Sequence, residues 1–203
     1  MKRDYQKITG HATYGVDGKL LEDIVGENAG TITIVEAGTQ YGRHAVLWSQ
    51  ILEEKKCKAK HVLIDSTDYL GHEFAQDYAE QRLREFGCKQ SIKKVDTLET
   101  GAKNFEDATV DVLFVDAIVG ASKLTNILQA WTPKITTGGK LIYHNYTSVI
   151  TEDDAMKIIE TLVATPFAIE VVANLIVCTK QEQHTKKTEP KTRIKPSHVE
   201  DGN

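Results

Sequence analysis

Five strand-like runs in this chain each end in a side chain that can accept a hydrogen bond, exchange a proton or hold a cation. Ile32–Val35 is followed by Glu36, His61–Ile64 by Asp65, Ser91–Val95 by Asp96, Val110–Val115 by Asp116, and Lys140–Tyr143 by His144-Asn145. Carboxylates take hydrogen bonds from hydroxyl and amino groups, and imidazole titrates near neutrality. A single acid after a strand reads as the N-cap of the next helix. Asp65, with Ser66, Thr67 and Asp68 behind it, fits that description, and so does Asp96. Polar groups at all five strand ends point instead to one polar rim. The first run also leads into Glu36-Ala37-Gly38-Thr39-Gln40-Tyr41-Gly42. Glycines allow positive φ and close backbone approach, and a helix N-terminus offers unpaired N–H groups. The spacing Gly38-x-x-x-Gly42 is not the G-x-G-x-x-G of a pyrophosphate cradle. An adenosine-type ligand, with a ribose diol and an exocyclic amine, suits these acceptors better than a dinucleotide does.

The periodicity supplies the elements that must position these groups. It predicts helices over 17–26, 43–56, 72–86, 99–105, 122–131 and 152–163. It predicts strands over 32–36, 61–65, 91–95, 110–116, 140–144, 168–172 and 175–179. Gly87 reads as a helix stop, Gly138-Gly139 as the turn into the fifth strand, and Ala173-Asn174 as a hairpin connection. Strands alternating with helices imply an α/β fold with a doubly wound, mostly parallel sheet, closed here by a C-terminal antiparallel hairpin. The run 110–116, apolar almost throughout, suits a central strand covered on both faces. Ligands of such sheets bind beyond the carboxyl ends of the strands, where the strand order reverses. All five polar ends fall there. Trp48 and Trp131 sit at helical positions and read as core.

Composition narrows the class. The chain has 203 residues, 40% hydrophobic and 27% charged, which suits one globular domain. A net charge of -4 argues against a general nucleic-acid binder. Cys57, Cys88 and Cys178 form neither a disulfide framework nor a zinc pattern, so a reducing cytoplasm is expected. No apolar run reaches membrane-spanning length. Residues 1–180 read as the domain. Residues 181–203, with Pro190, Pro196 and scattered lysines, read as a polar disordered tail.

In order and spacing these segments resemble class I S-adenosylmethionine-dependent methyltransferases, and among them the small catechol and caffeoyl-coenzyme A O-methyltransferases. The resemblance runs from about Gly18 to Lys180. Glu36-x-Gly38-Thr39-x-x-Gly42 is similar to their first cofactor motif, and Gly18-Lys19-Leu20-Leu21 to a helix lying over the cofactor. Ile64-Asp65-Ser66 is similar to the acidic strand end that holds the ribose, and Val95-Asp96-Thr97-Leu98-Glu99 to the adenine-contacting segment. Phe114-Val115-Asp116-Ala117 and Gly138-Gly139-Lys140-Leu141-Ile142-Tyr143 match strands four and five. The resemblance implies a single Rossmann-like methyltransferase domain. It implies S-adenosylmethionine bound by Glu36, Gly38, Thr39, Gly42, Asp65, Ser66, Asp96, Thr97 and Asp116, and O-methylation of a small-molecule acceptor.

The departures fall on the acceptor side. Metal-dependent relatives carry Asp, Asp and Asn where this chain has Asp116, His144 and Asn145, so a divalent ion there would have to accept imidazole. A related branch with His-Asp-Tyr differs from His144-Asn145-Tyr146 by the lost acid. The base that relatives carry three residues after the strand-four Asp is Val119 here. Lys123 reads as a solvated residue at a helix start, and His11, His44 and His72 as polar surface near the rim. His144, beside Asp116 and Asn145, is left as the expected base or ligand. Two alternatives stay open: a binder of the cofactor that transfers nothing, and a methyltransferase acting on a macromolecule. A homodimer is compatible with the sequence. No membrane is expected as a partner, and nucleic acid is disfavoured.

Overall fold

The β-branched runs fold as period-two strands and the glycine-bounded amphipathic stretches fold as helices between them. The computed structural model describes residues 4–8, 12, 14–27, 30–67, 72–117, 119–144, 151–162 and 167–182. The strands are β1 (Ile32–Ala37), β2 (Ala59–Ser66), β3 (Ile92–Val95), β4 (Val110–Val115), β5 (Ile135–His144), β6 (Phe167–Val172) and β7 (Leu175–Lys180). The helices are α1 (Lys19–Glu27), α2 (Arg43–Glu54), α3 (His72–Glu85), α4 (Leu98–Gly101), α5 (Ala121–Trp131) and α6 (Glu152–Leu162). A wide π-helical turn over Tyr14–Gly18 runs directly into α1.

The seven strands form one sheet in the order β3-β2-β1-β4-β5-β7-β6. The first five are parallel, and β7 runs antiparallel to both β5 and β6. The order reverses between β1 and β4. That is the crevice where open α/β sheets bind ligands, and it lies beside Gly38 and Asp116.

Register sorts the side chains into two layers. Glu36, Leu63, Phe114 and Ile142 form one cross-strand row, and Ala37, Ile64, Val115 and Tyr143 form the next. The first row faces a core that includes Leu21, Ile24, Val46 and Trp48 from α1 and α2. The second row faces a core with Leu98, Leu124, Ile127 and Trp131 from α4 and α5. Both tryptophans are fully buried, one in each layer, as expected. The Trp131 indole donates to the Leu98 carbonyl at 2.9 Å. Because strand side chains repeat every two residues, Asp65, Asp116 and His144 fall on the α1–α2 side of the sheet.

The strand that departs most from expectation is β5. It begins at Ile135 and runs through the glycine pair instead of starting after it. Pairing shifts from Val110–Ile135 to Val112–Lys140, so three extra residues of β5 bulge out. Gly138 takes φ 78°, and a Cβ on Gly139 would lie 2.6 Å from the Thr136 hydroxyl oxygen. The glycines therefore make a bulge inside a strand, a place where isolated glycines also occur. Among the described residues no helix is long and apolar enough to cross a membrane.

Candidate active site

The glycine turn is built by backbone constraints. Gly38 sits at φ 93°, and a Cβ there would lie 2.6 Å from the Asp116 carbonyl oxygen. Only glycine fits such close strand-to-strand contact at positive φ. The Gly38 amide donates to the Ile64 carbonyl at 2.9 Å, and the Asp116 amide to the Ala37 carbonyl at 3.0 Å. These bonds stitch the ends of β2, β1 and β4 into one ledge. Thr39 is buried, and its hydroxyl lies 3.5 Å from the Ile64 carbonyl. Gly42, at φ 80°, is the N-cap of α2. Arg43, the cation next to the turn, donates to the carbonyls of Ile8 and Ala12 at 2.7 and 3.0 Å. Its guanidinium is thus tied to the N-terminal segment and is not presented as a phosphate ligand.

The predicted cofactor acids separate by depth. Asp65 is buried at the end of β2, and one of its oxygens accepts the Ser66 amide at 2.9 Å. Ser66 is buried too, with its carbonyl held by the Gln76 amide at 2.9 Å. Asp96 is exposed. Thr97 is the N-cap of α4: its hydroxyl accepts the Thr100 amide at 3.2 Å, and its own amide donates to the Thr100 hydroxyl at 3.1 Å. Glu36 lies deeper than the rim and is fully buried, 3.7 Å from the His61 ring nitrogen. Neither Glu36 oxygen has a hydrogen-bond partner among the described residues. Burial raises its carboxyl above the usual range, and His61 opposes that rise.

Asp116 and His144 meet, as the strand ends predict. The His144 Nδ1 lies 2.8 Å from Asp116 Oδ1. Asn145, the third member of the expected set, lies outside the described residues. Val119 is buried and apolar.

Two neighbours of this pair were not expected. His44, read from sequence as polar surface, is 3% exposed and central to the site. Its Nδ1 lies 2.9 Å from Asp116 Oδ2, and its Nε2 lies 3.3 Å from Asp17 Oδ1. Asp17, in the π-helical turn, is 1% exposed, and its Oδ1 is also 3.7 Å from His144 Nε2. The Phe114 ring backs both imidazoles, with centroids 4.7 Å from His44 and 5.7 Å from His144. Asn174, at the hairpin, places its amide nitrogen 2.9 Å from His144 Nε2. The signal for His44 was present in its position: the second residue of α2 directly follows the glycine turn, so it must lie over the β1–β4 crevice. Asp17 carried no comparable signal, because only the π-helical turn swings it under α2. The side chains of His11 and His72 lie outside the described residues.

The electrostatics of the cluster follow from burial and two carboxylates. Burial alone would lower the His44 pKa, but Asp116 and Asp17 outweigh it and lift the imidazole to about 10. Burial alone would raise the Asp116 carboxyl. The His44 charge and the hydrogen bonds from both imidazoles reverse that and hold it well below the usual carboxylate range. Without another cation, His44 is therefore an imidazolium bridging two buried carboxylates.

The sequence model of the methyltransferase domain family matches residues 35–146, more than half of the chain. No curated protein matches the sequence significantly. Solved structures share the fold at low identity. A protein from Corynebacterium glutamicum aligns with a TM-score of 0.61 at 14% identity, over 91% of this chain and 93% of that one. Geranyl diphosphate C-methyltransferase from Streptomyces coelicolor, in complex with Mg2+, geranyl-S-thiolodiphosphate and S-adenosyl-L-homocysteine, aligns with a TM-score of 0.53 at 11% identity, over 80% and 74%. The CurJ carbon methyltransferase gives 0.53 at 13% identity; 75% of this chain is covered, and it spans about half (49%) of that protein. Carbon methyltransferases are thus among the structural neighbours, and the catechol and caffeoyl-coenzyme A subtype suggested by the sequence is not singled out.

Proposed function

The chain belongs to the methyltransferase domain family, and we propose that it binds S-adenosylmethionine at the β1–β4 crevice and methylates an oxygen of a small acceptor. The observation that carries this reading is the Asp116–His144 contact at 2.8 Å, placed beside the glycine ledge. The residues fit the cofactor. Gly38 lets the β1 end pack closely against the Asp116 carbonyl at positive φ, and Asp65 offers an acceptor for a ribose diol. Glu36, buried with two unpartnered oxygens, leaves hydrogen-bonding capacity beneath the turn. Arg43 is engaged elsewhere, which suits a cofactor without phosphates. S-adenosylmethionine supplies an activated methyl group, so the protein has chiefly to align and deprotonate the acceptor.

In this reading Gly38, Thr39 and Gly42 shape the turn, Asp65 and Ser66 hold the ribose end, and Asp96 and Thr97 flank the adenine. Asp116 orients His144 by taking its Nδ1–H, which leaves Nε2 to accept the acceptor's hydroxyl proton. Asn145 is assigned to acceptor positioning. His144→Ala is then expected to lower turnover about 10²–10⁴-fold while leaving cofactor affinity nearly unchanged. Methyl transfer from labelled S-adenosylmethionine to a panel of phenols, catechols and sugars, paired with calorimetry, measures both. Full turnover by His144→Ala would remove His144 from the role of base.

One observation favours a second reading, in which the cofactor binds and nothing is transferred. Val119 is buried at the position where relatives carry a base, and His144 is only 1% exposed. That reading expects no transfer to any acceptor and a cofactor affinity indifferent to His144.

A further inference from the structure

We propose that the buried cluster beneath α2 is a transition-metal site, with Asp17, His44 and His144 as ligands to one divalent ion of the zinc class. Asp116 is its shared outer support. This inference does not rest on methyl transfer, and it replaces the Asp116, His144 and Asn145 set that the family resemblance implies; with the ion bound, His144 Nε2 is a ligand, so His144 acts as a base only in the metal-free protein.

Asp116 accepts from both imidazoles through Nδ1, one on each carboxylate oxygen, at 2.8 and 2.9 Å. That fixes both rings with Nε2 turned the same way, toward Asp17. A carboxylate held on the far nitrogen of a ligating histidine is the usual outer support of a metal site. Here one carboxylate supports two. Asp116 also cannot be a ligand on the same side as the Nε2 atoms, because both of its oxygens are already occupied by Nδ1.

Three donor atoms converge on that side. Asp17 Oδ1 lies 3.3 Å from His44 Nε2 and 3.7 Å from His144 Nε2. The three donors lie within 4.8 Å of one another, and all three residues are buried. A four-coordinate ion with bonds of about 2.0–2.1 Å separates its ligand atoms by about 3.3–3.4 Å. The 3.3 Å separation matches that value and the 3.7 Å separation is slightly longer, so the three donors surround a common point with small adjustment.

The charge also balances. With both imidazoles neutral, Asp17 and Asp116 leave two negative charges in a pocket walled by Phe114. A divalent ion cancels both. Two imidazole nitrogens and one carboxylate oxygen select zinc, cobalt, nickel or iron over magnesium and calcium, which prefer all-oxygen sites. Three protein ligands leave a fourth position open, and the Asn174 amide nitrogen now meets His144 Nε2 at 2.9 Å. The Asn174 amide gives way when the ion enters.

The test uses the full chain, stripped with a chelator and titrated with Co2+ alone and then with Zn2+ in competition. The expected result is one Co2+ per chain, the intense visible absorption of a four-coordinate ion, stoichiometric displacement by Zn2+ and no displacement by Mg2+. Asp17→Asn, His44→Gln and His144→Gln should each weaken binding by about 100-fold or more. Asp116→Asn should weaken it about 10–100-fold and keep the four-coordinate spectrum, as expected of an outer partner. Asn145→Ala should leave affinity and spectrum unchanged. Where a substituted protein does not fold, X-ray absorption of the zinc-loaded wild type decides, and it should show two imidazoles on the ion. Failure of wild type to bind stoichiometrically, a one-imidazole shell, or loss of the ion in Asn145→Ala with retention in His44→Gln would each overturn the proposal.

Discussion

His44→Gln tests the electrostatic reading of the cluster with a magnitude set by the structure. In the chelated, metal-free protein His44 is the cation between Asp17 and Asp116, at 3.3 and 2.9 Å. Its pKa is lifted from 6.5 to about 10. At 1.36 kcal/mol per pKa unit that lift amounts to about 5 kcal/mol. Breaking a buried ion pair by removing one partner costs about 3–5 kcal/mol, so the two routes agree. The sign follows from a folded-state pKa above the unfolded one. The stabilisation is complete below about pH 6.5 and is lost as pH rises through about 10. Urea unfolding of wild type and His44→Gln, with chelator present, reads it directly. At about pH 6.5 the variant should be less stable by about 3–5 kcal/mol, and above about pH 10 the gap should close. Other groups titrate over that range in both proteins, so only the difference is interpreted. A gap under about 1 kcal/mol at the lower pH, the size of a solvent-exposed pair, would refute a buried imidazolium. So would a gap that does not change with pH.

Two further substitutions address the cofactor ledge. Asp65→Ala should weaken S-adenosylmethionine binding by about 1.5–3 kcal/mol, the worth of a hydrogen bond to a charged acceptor, as measured by calorimetry; unchanged affinity would remove Asp65 from the site. Gly38→Ala places a Cβ 2.6 Å from the Asp116 carbonyl oxygen at φ 93°. It should cost at least about 1–3 kcal/mol in denaturant unfolding and lower cofactor affinity as well; a variant as stable as wild type would show that the ledge relaxes freely.

The sheet was legible because its strands carry two separate signals, β-branched apolar runs and a polar residue at each end. β4 shows both, and its burial on two faces is written in Val110–Val115. The start of β5 was hidden because Gly138-Gly139 has the same composition whether it makes a turn or a bulge. Only the pairing of Val110 with Ile135 decides. At the site, Asp116 and His144 were legible as strand ends in adjacent strands. His44 could be found only from its place directly after the glycine turn, at the start of α2, and Asp17 carried no signal, because only the turn at Tyr14–Gly18 brings it to the cluster. Thr97 has a structural role besides: its hydroxyl and amide both bond Thr100 and cap α4. The acceptor-binding segments have no periodicity or motif, so the substrate could not be read.

The central claim, a cofactor site at the β1–β4 crevice, is tested most directly by titrating S-adenosylmethionine into the purified chain in a calorimeter. The account predicts saturable binding at one site per chain, abolished or weakened by Asp65→Ala. No heat of binding up to about millimolar cofactor, a ceiling of about -4 kcal/mol on any affinity, would contradict it.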